Sequence, residues 1–348
     1  MRVALGMSGG VDSAVSAALL ARAGHEVLGV TLCFVDDESS RAAVAGAADI
    51  CASLGIEHLV LDRLDEFEGR VIAPFVSSYA EGLTPSPCVG CNARCKIPGL
   101  VRAAKEHGCS HIATGHYARV EQLEGSGRFA IREALDDRKD QSYMLALLSQ
   151  EQLARLVLPL GELTKPKVRA IAADLGLAVA DQPDSQDICF VPDDYRAFLR
   201  GRGVADEPGP IVDSAGRVLG EHEGLSNFTI GQRKGIGIAA PKPYYVIGKR
   251  PASRELVVGF AEEAKVRAVR AGGMNWQAME APSSPFEATV KLRYRTPAVP
   301  CMISPNGAEK VRIELRDPQP ATAPGQYAVL YKEDMVLGGG VIEEVEQS

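Results

Sequence analysis

Two groups of residues in this sequence have the types and spacing to do chemistry: a short run of Ser, Gly and Asp near the amino terminus, and a set of cysteines. The run is Ser8-Gly9-Gly10-Val11-Asp12-Ser13. Adjacent glycines adopt dihedrals closed to other residues and let the backbone approach an anion. A helix that begins at once after them points unpaired N–H groups at the same place, an arrangement that binds phosphate. Ser8 and Ser13 add hydroxyl donors, and Asp12 can hold Mg2+ beside the phosphates. The run has neither the Gly-Lys-Ser/Thr of a Walker loop nor the Gly-x-Gly-x-x-Gly of a dinucleotide fingerprint. A pyrophosphate is the ligand that suits it.

The cysteines fall into two places. Thr84-Pro85-Ser86-Pro87-Cys88-Val89-Gly90-Cys91-Asn92 is rich in Pro and Gly, so a rigid exposed loop is expected there, ahead of a helix starting near Lys96. A thiol in such a loop meets substrate. A helix amino terminus with Arg94 and Lys96 nearby would lower its pKa and make it reactive. Cys88, Cys91 and Cys95 also have the spacing of metal ligands, for zinc or for an iron–sulfur cluster. Zinc usually takes a second pair, and the next candidates, His107 and Cys109, fall at the far end of the expected helix. The second place is Asp184-Ser185-Gln186-Asp187-Ile188-Cys189-Phe190-Val191-Pro192, an apolar centre with polar flanks; taken alone, Cys189 reads more readily as a buried, inert thiol. Cys33, Cys51, Cys109 and Cys301 sit in strand or helix patterns and read as core.

The elements that must position these residues follow from periodicity. Short apolar runs predict strands at Arg2 to Met7, Glu26 to Cys33, His58 to Leu61 and His111 to Thr114. Helical spacing lies between them, at about Ser13 to Arg22, Ser40 to Leu54, Phe67 to Tyr79 and Lys96 to His107. The alternation is that of an α/β domain, a parallel sheet with helices on both faces. A further helix is expected from Thr164 as its cap, with Pro166 in the first turn and Gly176 just past its end. After Arg202 short strands separated by Gly, Pro, Asn and Asp replace this pattern, and from about Val266 six alternating runs suggest a small β-barrel. The expected division is 1–202 for the nucleotide-binding catalytic domain, 203–263 for a β-rich central domain and 264–348 for the carboxyl-terminal β-barrel.

Composition excludes several classes. The 348 residues carry a net charge of −7 and are 46% apolar, which argues against a protein that coats nucleic acid through bulk positive potential. Local basic grooves remain: Arg233-Lys234, Lys242, Lys249-Arg250, and the alternating Lys291, Arg293 and Arg295, expected on one strand face. No apolar run is long enough to span a bilayer, and the amino terminus lacks the pattern of a signal peptide. Eight cysteines, not clustered as a secreted disulfide framework would be and without an export signal, are expected to be reduced in the cytoplasm.

The loop at Ser8 resembles that of the PP-loop ATP pyrophosphatases, which cleave ATP to AMP and pyrophosphate while adenylating a carbonyl oxygen. More closely, the sequence resembles the tRNA-specific 2-thiouridylases of the MnmA family. The likeness runs along nearly the whole chain. It rests on Gly6-Met7-Ser8-Gly9-Gly10-Val11-Asp12-Ser13, Thr84-Pro85-Ser86-Pro87 leading to Cys91-Asn92, Thr114-Gly115-His116-Tyr117-Ala118-Arg119 and Lys139-Asp140-Gln141-Ser142-Tyr143. Further on it rests on Asp184 to Phe190, Phe228-Thr229-Ile230-Gly231-Gln232-Arg233-Lys234-Gly235, Arg293-Tyr294-Arg295 and Pro324-Gly325-Gln326. Lys96-Ile97-Pro98 departs from the family's pattern, which bears on local packing.

This resemblance implies a sulfurtransferase that adenylates the C2 oxygen of the wobble uridine in Lys, Glu and Gln tRNAs and replaces it with sulfur. It implies Cys91 as nucleophile and Cys189 as the carrier of a persulfide received from a donor such as a cysteine desulfurase or relay protein, with a Cys91–Cys189 disulfide as one end state. ATP with Mg2+ is implied at Gly6, Met7, Ser8, Gly9, Gly10, Val11, Asp12, Ser13, Leu32 and Gly115. Contacts to tRNA are implied at Ser86, Pro87, Cys88, His116, Lys139, Asp140, Gln141, Arg293, Tyr294 and Gln326. A flipped base needs such a pocket, because its reacting atom is otherwise hidden by stacking. Cys88, Cys91 and Cys189 are also a set that could ligate an iron–sulfur cluster with one open iron. A monomer is expected. Two rivals stay open on sequence alone: an amide-forming ligase of the argininosuccinate synthetase kind, and a zinc-stapled nucleic-acid-binding protein in which Ser8 to Ser13 is only a turn.

Overall fold

The computed structural model describes residues 1–180, 182, 188–191 and 194–347. Of the expected motifs, Asp184-Ser185-Gln186-Asp187 and Pro192 lie outside the described residues. Five parallel strands form the first sheet, in the order Glu57–Asp62, Glu26–Cys33, Arg2–Gly6, His111–Ala113 and Leu156–Val157. Val3, Ala4 and Leu5 of the central strand are fully buried, as expected of a parallel strand covered on both faces. One covering layer contains Val11–Arg22 and Lys165–Asp174 and the other Ile97–Glu106, each packed into its own core. The first helix begins at Val11, two residues earlier than its spacing predicts, so the glycines abut it directly. Thr164 occupies the expected cap position without a side-chain capping bond; Asp136 Oδ2 accepts the Lys165 N–H instead, at 2.8 Å.

Two departures from expectation have one cause. The helix expected over Phe67 to Tyr79 runs as Leu64–Phe67, a π turn at Glu68–Ile72, then Ala73–Ala80. The expected exposed loop at Thr84 to Asn92 is half helix. Pro87 opens a helical turn to Cys91, a π turn follows at Asn92–Lys96, and Ile97–Glu106 continues. Each π turn ends two residues before a proline, Pro74 or Pro98. A proline has no N–H to give the carbonyl four residues back, and its ring crowds that carbonyl. The wider turn relieves the clash, and the freed Arg94 carbonyl accepts from Arg70 Nη1 at 3.1 Å.

The chain from Gly209 onward builds two β units. The central one is a four-stranded sheet ordered Tyr245–Arg250, Glu255–Gly259, Gly209–Asp213, Val218–His222. The last is a barrel of six antiparallel strands, Val266–Trp276, Val311–Gln319, Val299–Pro305, Phe286–Lys291, Tyr327–Lys332 and Met335–Gln347, with the first and last paired to close it. A hairpin from the first domain, Arg119–Gln122 with Phe129–Arg132, extends this sheet by pairing Arg132 with Met335. The side chains of Arg119 and Arg132 both pair with Asp334 there. Tyr327, Val329, Tyr331 and Val336 of the barrel share one core with Leu28, Ile112 and Tyr143. The Tyr143 hydroxyl donates to the Tyr327 carbonyl at 3.0 Å.

Two of the basic grooves expected from sequence are corrected by burial. Lys291 ends its strand and lies inside, bonded to Glu133 at 2.7 Å and Asp140 at 3.2 Å. Arg293 and Arg295 lie beyond that strand, so the three do not share a strand face. Arg250 pairs with Glu255, while the Lys249 amine is buried with no hydrogen-bond partner among the described residues. Arg233, Lys234 and Lys242 are exposed, as expected.

Candidate active site

The loop after the first strand is shaped by its glycines. Gly9 has φ of +74°, and a Cβ there would lie 2.6 Å from the Ala43 carbonyl oxygen. Only glycine fits this turn. The Ser13 hydroxyl accepts the Ser8 N–H at 3.2 Å and donates to the Gly10 carbonyl at 3.0 Å, tying the loop across its mouth. Gly115, just past the neighbouring strand, packs against this loop: a Cβ on it would stand 3.0 Å from the Asp12 carbonyl carbon and 3.1 Å from the Ser13 nitrogen. Leu32, at the end of the second strand, meets Gly99 of the helix that follows the cysteines. Gly6, Leu32 and Gly115 thus gather at the carboxyl ends of adjacent strands, where open sheets bind ligands.

Asp12 is engaged already. Both its carboxylate oxygens accept from Lys165 Nζ, at 2.7 and 2.8 Å, and Oδ1 also accepts from the Tyr117 hydroxyl at 2.8 Å. Lys165 is 6% exposed. A carboxylate in the first turn of a helix, aimed at a phosphate loop, fits a metal–nucleotide ligand, but Mg2+ would have to draw it away from Lys165.

Cys91 is 8% exposed and lies in the helical turn, rather than in an exposed loop. It packs in an aromatic cluster with Phe67, Phe75, Tyr79, Cys95 and Phe190. Phe190 makes edge contacts with Phe67 at 5.6 Å and Phe75 at 5.2 Å. Phe190 follows Cys189 in the chain, so the cluster that buries Cys91 also fixes the residue next to Cys189. Cys88 and Cys189 are exposed. The expected lowering of the thiol pKa is not found. Burial pushes Cys91 up to about 11, which the Lys96 ammonium offsets only in part; Cys88 and Cys189 are also raised by the protein packed around them, although both residues reach solvent. Cys91 closes its turn instead of opening a helix, so the amino-terminal partial charge does not act on it. All eight cysteines are unpaired thiols. Among the described residues no three His, Cys, Asp or Glu side chains are grouped as metal ligands, so Cys88, Cys91 and Cys189 share a neighbourhood without forming a preassembled cluster site.

His116 is 9% exposed, and its Nδ1 is bonded to the Thr114 hydroxyl at 2.8 Å. Burial and the nearby Lys96 push its pKa down to about 3, so the ring is neutral across the physiological range. Asp140, expected at the RNA surface, is turned inward: it accepts from the Ala134 and Ser142 N–H groups, the Ser142 hydroxyl and Lys291. Gln141 Oε1 accepts the Tyr117 N–H at 3.0 Å. Arg293 Nη2 donates to the Ile230 carbonyl, and Tyr294 packs beside Tyr143. Gln326 Nε2 donates to the Thr84 carbonyl at 2.6 Å, and the Pro324 carbonyl accepts the Thr84 N–H, so the barrel holds the segment leading to Ser86 and Pro87. Lys139 is half-buried on the same loop as Asp140.

Sequence reasoning missed Lys165, Tyr117 and Phe190 as parts of this site. Tyr117 lies within a quoted motif and Lys165 within an expected first turn, yet neither position carries a local sign of its distant partner.

The family described as "tRNA methyl transferase HUP domain" matches residues 1–193, the "tRNA methyl transferase PRC-barrel domain" 196–260 and the "Aminomethyltransferase beta-barrel domain" 266–342. Full-length relatives carry the name "tRNA-specific 2-thiouridylase MnmA". That of Trichormus variabilis is 43% identical and covers 99% of both chains. That of Carboxydothermus hydrogenoformans is 43% identical over 99% of this chain and 98% of the relative, and that of Geobacter metallireducens 44% over 98% and 96%. With family models matching its three units and relatives of this name along its whole length, the chain belongs to the MnmA family of tRNA-specific 2-thiouridylases and is a tRNA sulfurtransferase.

Proposed function

We propose that residues Gly6 to Ser13, Leu32 and Gly115 hold ATP, that Cys91 and Cys189 carry the sulfur, and that Ser86, Pro87, Cys88, His116, Lys139, Gln141, Arg293, Tyr294 and Gln326 line the path of the tRNA. Asp140 serves as the inward anchor of the 139–142 loop. The domain division proposed is 1–202, 203–263 and 264–348. The target is the wobble uridine of Lys, Glu and Gln tRNAs, the donor is a persulfide-bearing protein, and the enzyme acts as a cytoplasmic monomer; no described helix is long and apolar enough to cross a membrane.

The residues act as follows. The loop N–H groups and the Ser8 and Ser13 hydroxyls orient the triphosphate so that the uridine C2 oxygen attacks the α-phosphorus and pyrophosphate leaves. Asp12 would hold Mg2+ once Lys165 yields, and the ion would supply charge neutralisation for the departing pyrophosphate. The terminal sulfur of a Cys189 persulfide then bonds to C2 and AMP leaves with the oxygen. Cys91 thiolate attacks the Cys189 Sγ, which releases 2-thiouridine and forms a Cys91–Cys189 disulfide; an external dithiol returns two electrons to reset the pair. A neutral His116 can hydrogen-bond the base without repelling Lys96. The described side chains do not fit a cluster held by Cys88, Cys91 and Cys189, and no step runs through one.

The observation that carries this reading is the shared aromatic cluster, which seats Cys91 and, through Phe190, Cys189. The test is thiolation of an unmodified glutamate tRNA transcript with ATP, Mg2+ and a persulfide donor. Expected are 2-thiouridine and AMP from the wild type, and no 2-thiouridine from Cys91→Ser or Cys189→Ser while ATP still binds. Thiolation that survives either substitution overturns the assignment.

A further inference from the structure

Tyr117 touches both halves of the site. Its ring is 2% exposed, and its hydroxyl donates to Asp12 of the nucleotide loop at 2.8 Å. Its backbone is held twice by Gln141: the Tyr117 N–H donates to Gln141 Oε1 at 3.0 Å, and the Gln141 N–H donates to the Tyr117 carbonyl at 2.7 Å. The adjoining Asp140 accepts from Lys291, two residues before Arg293, and from the Ser142 hydroxyl, which is 3.1 Å from the Tyr331 hydroxyl of the barrel. A hydrogen-bonded path therefore joins Asp12 to the 139–142 loop and on to the strand end beside Arg293. Its members are largely buried, where an unmade hydrogen bond is costly.

Asp12 has two exclusive uses. In the structure it is bonded to Lys165 and Tyr117. A Mg2+-nucleotide would take this carboxylate as a ligand and leave Lys165 free to meet the phosphates. Tyr117 then loses this acceptor. Its ring is enclosed, so the adjustment falls on its backbone, whose two bonds to Gln141 carry the shift into the 139–142 loop. A tRNA that holds Gln141 in the shifted arrangement favours the same state from the other side. Two ligands that bias one two-state element in the same direction strengthen each other's binding by an equal factor.

We propose that Tyr117 is a positioning residue that couples nucleotide binding at Asp12 to the conformation of the 139–142 loop, so that Mg2+-nucleotide and tRNA bind with positive cooperativity. The proposal rests on the reading of these two loops as nucleotide and tRNA sites.

The experiment measures the Kd of α,β-methylene-ATP with Mg2+, which cannot release pyrophosphate, with and without saturating unmodified glutamate tRNA transcript. The wild type is expected to bind the nucleotide about fivefold or more tightly with tRNA present. In Tyr117→Phe the ratio should fall to near one, while nucleotide alone should bind at least as tightly as to the wild type, because Asp12 no longer has to leave this hydroxyl. The second readout is hydrogen exchange of the 139–144 amides on adding the Mg2+-nucleotide alone, which should change in the wild type and not in Tyr117→Phe. A fivefold ratio that survives in the variant, a wild-type ratio of one, or amides indifferent to nucleotide would overturn the coupling. Failure of the tRNA to bind would instead sink the proposed tRNA site, and the exchange readout would still decide whether Tyr117 transmits nucleotide binding.

Discussion

Replacing Lys249 by Met should stabilise this protein. The Lys249 amine is buried with no hydrogen-bond partner among the described residues, and burial pushes its pKa from 10.5 down to about 8. A fall of roughly 2.5 units at 1.36 kcal/mol per unit puts the burden of keeping it charged at about 3 kcal/mol. The sign follows from proton counts. Between about pH 8 and 10.5 the unfolded chain keeps a proton that the folded chain has given up, so stability rises with pH across that window. Below pH 8 the full burden applies. Met keeps the apolar stem that packs against the turn at Gly82, where a Cβ would lie 3.8 Å from the Lys249 Cβ. Urea unfolding followed by circular dichroism should show Lys249→Met more stable by about 3 kcal/mol at pH 7 and by less than about 1 kcal/mol at pH 10. A variant no more stable than wild type at pH 7, or a gain that does not shrink with pH, would show that the amine is satisfied and the reasoning wrong.

Two further outcomes follow from the site. With its thiol near 11, buried Cys91 should alkylate slowly in the tRNA-free enzyme: at pH 8 it should react with iodoacetamide about two orders of magnitude more slowly than a free cysteine, and more slowly than exposed Cys189, with its rate still climbing at pH 10. Mass spectrometry of the labelled peptides checks this, and rates like those of free cysteine would contradict it. Phe190→Ala removes the ring that ties Cys189 to the aromatic cluster and should cost about 3–5 kcal/mol of packing. Thiolation should drop at least tenfold with nucleotide affinity unchanged, and an active variant would show that the anchor is dispensable.

What the sequence reveals here depends on how local the cause is. The shape of the glycine loop is legible because its glycines, serines and helix start lie within six residues, and the barrel because each strand carries its own alternation. The central strands are legible for the same reason, since burial on both faces writes an unbroken apolar run. The Asp12–Lys165 pair joins residues 153 positions apart, and nothing near either predicts the other. Asp140 and Lys291 look like surface charges on any local count, because only the docking of hairpin and barrel turns them inward. The thiol environment is misread for a related reason. Arg94 and Lys96 are visible in the sequence, but the aromatic rings that desolvate Cys91 come from Phe67, Phe75 and Phe190, in three separate stretches of chain.

The π turn at Asn92–Lys96 can also be viewed as a matter of phase. It amounts to one surplus residue carried inside a helix that otherwise keeps its count, and each α-helical residue advances the azimuth by about 100°. Everything on the amino-terminal side, Cys88 and Cys91 included, is therefore offset by that angle from where uninterrupted helical counting from Leu100 would place it. Pro98 acts as the indexing pin. Removing it, or deleting one residue among 92–96, would let the helix return to regular phase and swing Cys91 off the cluster that holds Phe190, with no side chain of the site itself altered. The aim of the sulfur is thus set seven residues downstream of it.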